Sequence, residues 1–207
     1  IYNHGLALFS NKKTVAQIVS DFSNDEKIII DDEQKVIFLK FNSVTDKAFL
    51  AEGKIGSFQL AEMGNELDKI TNICEYTLIA LLHHHVTSIP KPDWYDKKWF
   101  QKLMPATVHD ESVKLIDSDI FLEWLKLRNV KLVMHGHKHI PYVENHEQIN
   151  IVACGSSTGN IAHKEKEKTY ISYNVININK ENITCMQYAE EVYGSGAKHI
   201  NTSVFRL

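Results

Sequence analysis

The stretch Val130-Lys131-Leu132-Val133-Met134-His135-Gly136-His137-Lys138-His139 decides how the rest of the chain is read. Its first half is a short apolar run, which suits a buried strand of a parallel sheet. Its second half gathers three histidines around a glycine where such a strand opens into a loop, and open α/β sheets build their sites at the carboxyl ends of strands. His137 and His139 are one residue apart, so in extended chain both rings lie on one side and can approach one ion or two adjacent ions. Gly136 permits the sharp backbone path that precedes them.

Upstream, Asn129 ends an amphipathic helix, Ile120–Arg128, that turns Phe121, Trp124, Leu125 and the Arg128 stem inward, with Ser118 or Asp119 as its cap. Before that helix, the apolar run Tyr76–Leu82 also ends in histidines, His83-His84-His85. Strand, helix and strand make a crossover, which sets Val130–Met134 beside Tyr76–Leu82. His83, His137 and His139 then converge as candidate metal ligands. Imidazole nitrogens without cysteine suit Zn, Mn, Fe, Co or Ni rather than Ca. His84, His85 and His135 have weaker claims, as supporting donors, substrate contacts or surface residues.

The remaining pattern alternates β-rich and helical runs without internal repeats, which argues for a single α/β domain over residues 1–207. A helix is expected over Thr14–Phe22. Strands are expected over Lys27–Ile30 and Lys35–Phe41, around the acidic turn Asp31-Asp32-Glu33. A second helix runs from Ser57, its N-cap, to Ile70, with Leu60, Met63, Leu67 and Ile70 on one face. Residues 86–117 form a Pro- and aromatic-rich insertion containing Pro90, Pro92, Pro105, Trp94, Tyr95, Trp99 and Phe100. Packing on the sheet is its default role, and stacking a nucleobase (worth ~1–3 kcal/mol per base) or docking a protein is the alternative. His109 and Asp110 fall in the same segment. After the histidines come a strand, Ile149–Ala153, a hydroxyl-rich turn, Cys154–Asn160, and a hairpin of Tyr170–Ile178 with Ile183–Tyr188 joined by Asn179–Asn182. The tail from Gly194 carries no assignment.

With 207 residues and 43% hydrophobic content, the chain can bury one sizeable core. A net charge of −3 gives no overall attraction to nucleic acid or an anionic membrane. The basic runs Lys97-Lys98 and Lys164–Lys168 are short, and Glu165 and Glu167 interrupt the second, so there is no strong nucleic-acid signal. Cys74, Cys154 and Cys185 are odd in number and lack metal-type spacing, which favours a reducing compartment and the cytoplasm as location. No apolar run nears the ~20 residues that span a bilayer. Because the chain starts at Ile1, a missing upstream segment is expected, with a removed signal peptide as one form of it. Nothing in the sequence indicates an oligomeric state.

The order of apolar strand, His, variable segment, helix, apolar strand and Gly-His-x-His resembles the C-terminal half of the calcineurin-like metallophosphoesterases. Gly136-His137-Lys138-His139 matches that family's final signature at all three fixed positions, and His83 fits its preceding single-His block. The resemblance covers most of residues 36–160. It implies a two-sheet ββ sandwich flanked by helices, with the N-terminal part missing, and a site holding two divalent metal ions (Mn, Fe, Zn or similar). His83 and His137 would ligate the second ion and His139 the first. Ions ~3.5–4 Å apart in such sites activate water for in-line attack on phosphorus. The substrate implied is a phosphoester small molecule or nucleotide.

Three blocks of the family, Asp-x-His, Gly-Asp-x-x-Asp and Gly-Asn-His-Asp/Glu, are not present intact. Tyr2-Asn3-His4-Gly5 is a candidate degenerate form of the third, with Asn3 as ligand and His4 as transition-state donor; otherwise residue 1 lies just after the true block. Three neutral imidazoles do not hold two dications against their mutual repulsion. The 207-residue chain alone is therefore expected to be nearly inactive, its parent being a hydrolase. The alternative is a degenerate phosphoesterase-like scaffold without catalysis.

Overall fold

A computed structural model describes residues 26–45, 52–89, 115–138, 140–155, 161–162, 169–179, 181–191 and 198–206. The expected helix at 14–22, Asn3, His4, the aromatic cluster 94–100, His109, Asp110 and His139 lie outside these residues.

The apolar runs form the middle of a six-stranded sheet. In chain order its strands are β1 (Ile28–Asp31), β2 (Val36–Lys40), β3 (Thr77–Leu81), β4 (Leu132–His135), β5 (Tyr142–His146) and β6 (Ile149–Ala153). The spatial order is β1-β2-β3-β4-β6-β5. Strands β2, β3, β4 and β6 run parallel, while β1 and β5 are antiparallel edges. Near-continuous apolar sequence is what two covered faces require of parallel strands.

Alternation along each strand separates two cores. On one face Ile37, Leu39, Leu78, Ala80, Val133, Ile149 and Ile151 pack against two helices, α1 (Ser57–Leu67) and α2 (Ser118–Leu127). Leu60, Met63 and Leu67 of α1 and Phe121, Leu122 and Leu125 of α2 fill that layer. On the other face Val36, Phe38, Ile79, Leu132, Met134 and Val152 meet Ile183 and Cys185 of a second sheet. That sheet has the order β10-β9-β8-β7, with β7 (Ile161–Ala162), β8 (Thr169–Ile178), β9 (Asn182–Glu191) and β10 (Lys198–Arg206) all antiparallel. The chain is thus mixed α/β, with two sheets and few helices. Each fully buried Leu, Ile or Phe contributes roughly 1.5–3 kcal/mol.

The helix starts differ from expectation. Ser57 is the first helical residue of α1 rather than its cap; Gly56 caps, with φ +78, and no side chain takes part. Helix α2 begins at Ser118 with Asp117 at the cap position, in place of Ser118 or Asp119. Asp117 does not cap its own helix. Its carboxylate accepts the N–H of Ile55 at 3.1 Å and of Gly56 at 2.7 Å, tying the approach of α1 to the start of α2. The Arg128 guanidinium pairs with Asp68 beyond the end of α1 and lies over the Trp124 ring.

Strands β5, β7 and β10 were not anticipated. All three cysteines are free. Among the described residues no helix is long and apolar enough to cross a membrane.

Candidate metal centre

The parallel pairing of β3 with β4 sets the site. Ile79, Ala80 and Leu81 lie opposite Leu132, Val133 and Met134, and the ladder continues past the strand ends. Leu82 N–H donates to the Met134 carbonyl at 3.1 Å, and Gly136 N–H to the His83 carbonyl at 3.1 Å. The two chains therefore leave the sheet at the same level, with His83 and His137 side by side. Lys138 N–H donates to the Gly136 carbonyl at 2.9 Å, and His137 between them has φ +69. That is a γ-turn of the strained hand, centred on a non-glycine residue. The sharp path expected of Gly136 falls on His137 instead.

His83 Nε2 and His137 Nδ1 stand 2.9 Å apart, with ring centroids 4.9 Å apart and planes at 84°. In the absence of an ion one ring donates and the other accepts. Around an ion with bonds of about 2.1 Å, neighbouring imidazole nitrogens stand roughly 3.0–3.4 Å apart, so the spacing already approaches a shared coordination sphere. The ring of His84 lies 5.0 Å from that of His83 and 4.6 Å from that of His137. One candidate ligand atom from each of the three lies within 4.8 Å of the others. Such a group could hold one metal ion, and ligation would require the proton between His83 and His137 to leave. Of the three ligands expected from sequence, the structure brings His83 and His137 together, while His139 lies outside the described residues.

Two more histidines surround this group, and neither they nor His84 are surface residues. His84 is 4% exposed, His85 0% and His135 2%. The His85 ring lies nearly parallel to that of His137, at 5.9 Å, and among the described residues neither of its nitrogens has a hydrogen-bond partner. Burial first, then the nearby charge of Lys138, pushes its titration down to about 2. His135 is pushed down to about 4 by burial, opposed by the Gly136 carbonyl 3.4 Å from Nδ1; among the described residues its Nε2 has no partner. Both stay neutral at physiological pH and add no charge that would repel a cation.

Sequence reasoning missed Ser43 and Gly53. Buried Ser43 stands just past β2, and its Oγ lies 2.9 Å from His84 Nδ1. Gly53 is bridged to Val44 on one side and Leu115 on the other, directly beneath the His84 ring. Neither residue carries a local signal, since each is about 30 or 40 positions away from the histidines it supports.

No protein-family model and no curated protein sequence matches the chain. Among solved structures, it is similar to Vacuolar Protein Sorting 29 from Cryptosporidium parvum, at 13% identity over 42% of this chain and 43% of that one, with a TM-score of 0.33. Vps29 from Entamoeba histolytica, complexed with Zn, gives 16% identity over 42% of this chain and 46% of that one, with a TM-score of 0.30. A putative 5′-nucleotidase from Staphylococcus aureus gives 10% identity over 87% of this chain and 29% of that one, with a TM-score of 0.32. The matched stretch spans less than half of each of these chains.

Proposed function

We propose that the chain contributes the histidine side of a metal-dependent phosphoester hydrolase site, within a single phosphoesterase-like domain. The observation that supports this most strongly is the 2.9 Å approach of His83 and His137 from the ends of adjacent parallel strands. On this reading His83 and His137 bind one divalent ion through neutral imidazoles, and His139 would ligate the other. Bound there, Mn, Fe or Zn would polarise a phosphoryl oxygen and supply an activated water for in-line displacement. The chain's own part is to hold these rings at fixed spacing, with neutral His85 and His135 behind them. Among the described residues the cluster contains three imidazoles and no carboxylate, so a second ion needs anionic ligands from elsewhere. The substrate class on this reading is a phosphoester small molecule or nucleotide.

The carboxylate-free cluster also favours a second reading, a scaffold that binds a single ion without turnover. Metal analysis of the purified full-length parent polypeptide, coupled to Mn-supplemented assays on aryl phosphate, phosphodiester and nucleotide substrates, separates the two. Turnover that disappears in His83→Ala and His137→Ala supports the hydrolase. Bound metal without turnover supports the scaffold, and turnover unchanged by either substitution refutes both roles for these histidines.

A further inference from the structure

We infer that the ion held by His83 and His137 is of the Zn, Co, Ni or Cu class, and that this cluster discriminates against Mn, Mg and Ca. The inference rests on the reading of these two rings as ligands of one ion, and adds which ion they choose. A dication is held by two separable forces, attraction to anionic oxygen and donation of a lone pair into the metal. Carboxylate and water oxygens supply the first and suit Mg, Ca and Mn, whereas imidazole supplies the second and suits Zn, Cu and Ni. Along the first transition row donation is weakest to Mn and strongest to Cu.

The cluster offers donation without anionic charge. Its candidate ligand atoms come from His83, His84 and His137, within 4.8 Å of one another, and among the described residues no Asp or Glu joins them. The surroundings do not make up the deficit. The next ring, that of His85, stands 5.9 Å from His137 and is a further imidazole, as is buried His135. The charge that reaches both His85 and His135 is the ammonium of Lys138, which is positive. Asp117 lies two residues past Leu115, which bridges to Gly53 beneath His84, and its carboxylate is engaged by the N–H groups of Ile55 and Gly56. A Mn or Mg ion entering here would exchange water oxygens for neutral nitrogens, beside a like charge and with nothing anionic in return. A Zn-class ion gains strong nitrogen bonds from the same exchange.

Calorimetric titration of the chelator-stripped protein with Zn alone, and separately with Mn alone, tests this without any activity measurement. The step to be read is the one that His83→Ala and His137→Ala remove. At that step Zn should bind about 100-fold or more tightly than Mn. Co bound there reports the same preference through its visible absorption bands, which should survive a large excess of Mn or Mg and disappear on addition of Zn. Mn within about 3-fold of Zn, or loss of the Co bands to Mn, overturns the inference. Substitution at Lys138 tests the cause. Lys138→Glu sets a carboxylate beside His137 and should narrow the Zn-to-Mn ratio by about 10-fold, whereas Lys138→Gln, which removes charge and adds no anion, should leave it within about 3-fold. A ratio the same in Lys138→Glu as in the parent protein overturns the argument from missing carboxylates. Failure of the underlying reading looks different: Zn that does not bind, or binds equally well in His83→Ala and His137→Ala, refutes the ligand assignment and the selectivity with it.

Discussion

Lowering the pH from 7 to 5 should weaken the fold through two buried imidazoles. Burial holds the titration of His135 down to about 4, and burial together with Lys138 holds that of His85 down to about 2. In the unfolded chain both return to about 6.5. Above that value neither state binds the proton and the full stability is present. Below it the unfolded chain takes up protons that the folded chain refuses, so stability falls with pH until the folded value is reached. For His135 at pH 5, about 1.5 pH units below the unfolded value at ~1.36 kcal/mol each comes to about 2 kcal/mol. His85 adds at most a similar amount over the same range, for a total of about 2–4 kcal/mol. Urea denaturation followed by tryptophan fluorescence at pH 7, 6 and 5 measures this in the parent, in His135→Leu and in His85→Leu. Carboxylates titrate in all three proteins, so the differences between them isolate the imidazoles. His135→Leu should lessen the parent's loss by about 2 kcal/mol and His85→Leu by at most a similar amount. Variants that lose as much stability as the parent between pH 7 and pH 5 would show that these rings are not held neutral by burial.

Three other outcomes are expected. Asp117→Ala removes the acceptor shared by Ile55 and Gly56 and should cost about 2 kcal/mol in thermal or urea denaturation, with Asp117→Asn costing less because one oxygen remains; equal losses in the two variants would argue against the paired bond. Phe121→Ala empties a fully buried position whose ring meets Phe41 edge-on at 4.9 Å, and should cost about 3–5 kcal/mol by the same assay. Zn at 100 times its dissociation constant should stabilise the protein by about 2.7 kcal/mol in thermal melts, reversed by a chelator and missing from His137→Ala.

The fold was legible where the pattern was strong. The runs at 76–82 and 130–134 are apolar enough to declare buried strands, and the amphipathic stretch between them declares the crossover that makes them neighbours. Strand β5 was not legible, because Tyr-Val-Glu-Asn-His lies on a sheet edge with little to bury, and its turn uses Glu147 and Gln148 at φ 45 and 76 in place of the Asn-Gly type. Strand β10 is likewise a polar edge strand whose hydrogen-bonding partner, not its composition, makes it a strand. At the site, His83 and His137 could be paired from topology alone. The burial of His84, His85 and His135 could not, since it follows from long-range neighbours such as Ser43 and Gly53 that no local periodicity announces.

Two ring nitrogens, one from His83 and one from His137, sharing a metal ion are the core of the proposed site. X-ray absorption fine structure at the Zn edge, taken after equilibrium dialysis of the protein, reads that coordination sphere most directly. Stoichiometric Zn with at least two imidazole nitrogens at about 2.0–2.1 Å is expected, lost in the His83→Ala, His137→Ala double variant. Zn that does not bind stoichiometrically, or a coordination sphere the double variant leaves unchanged, would contradict it.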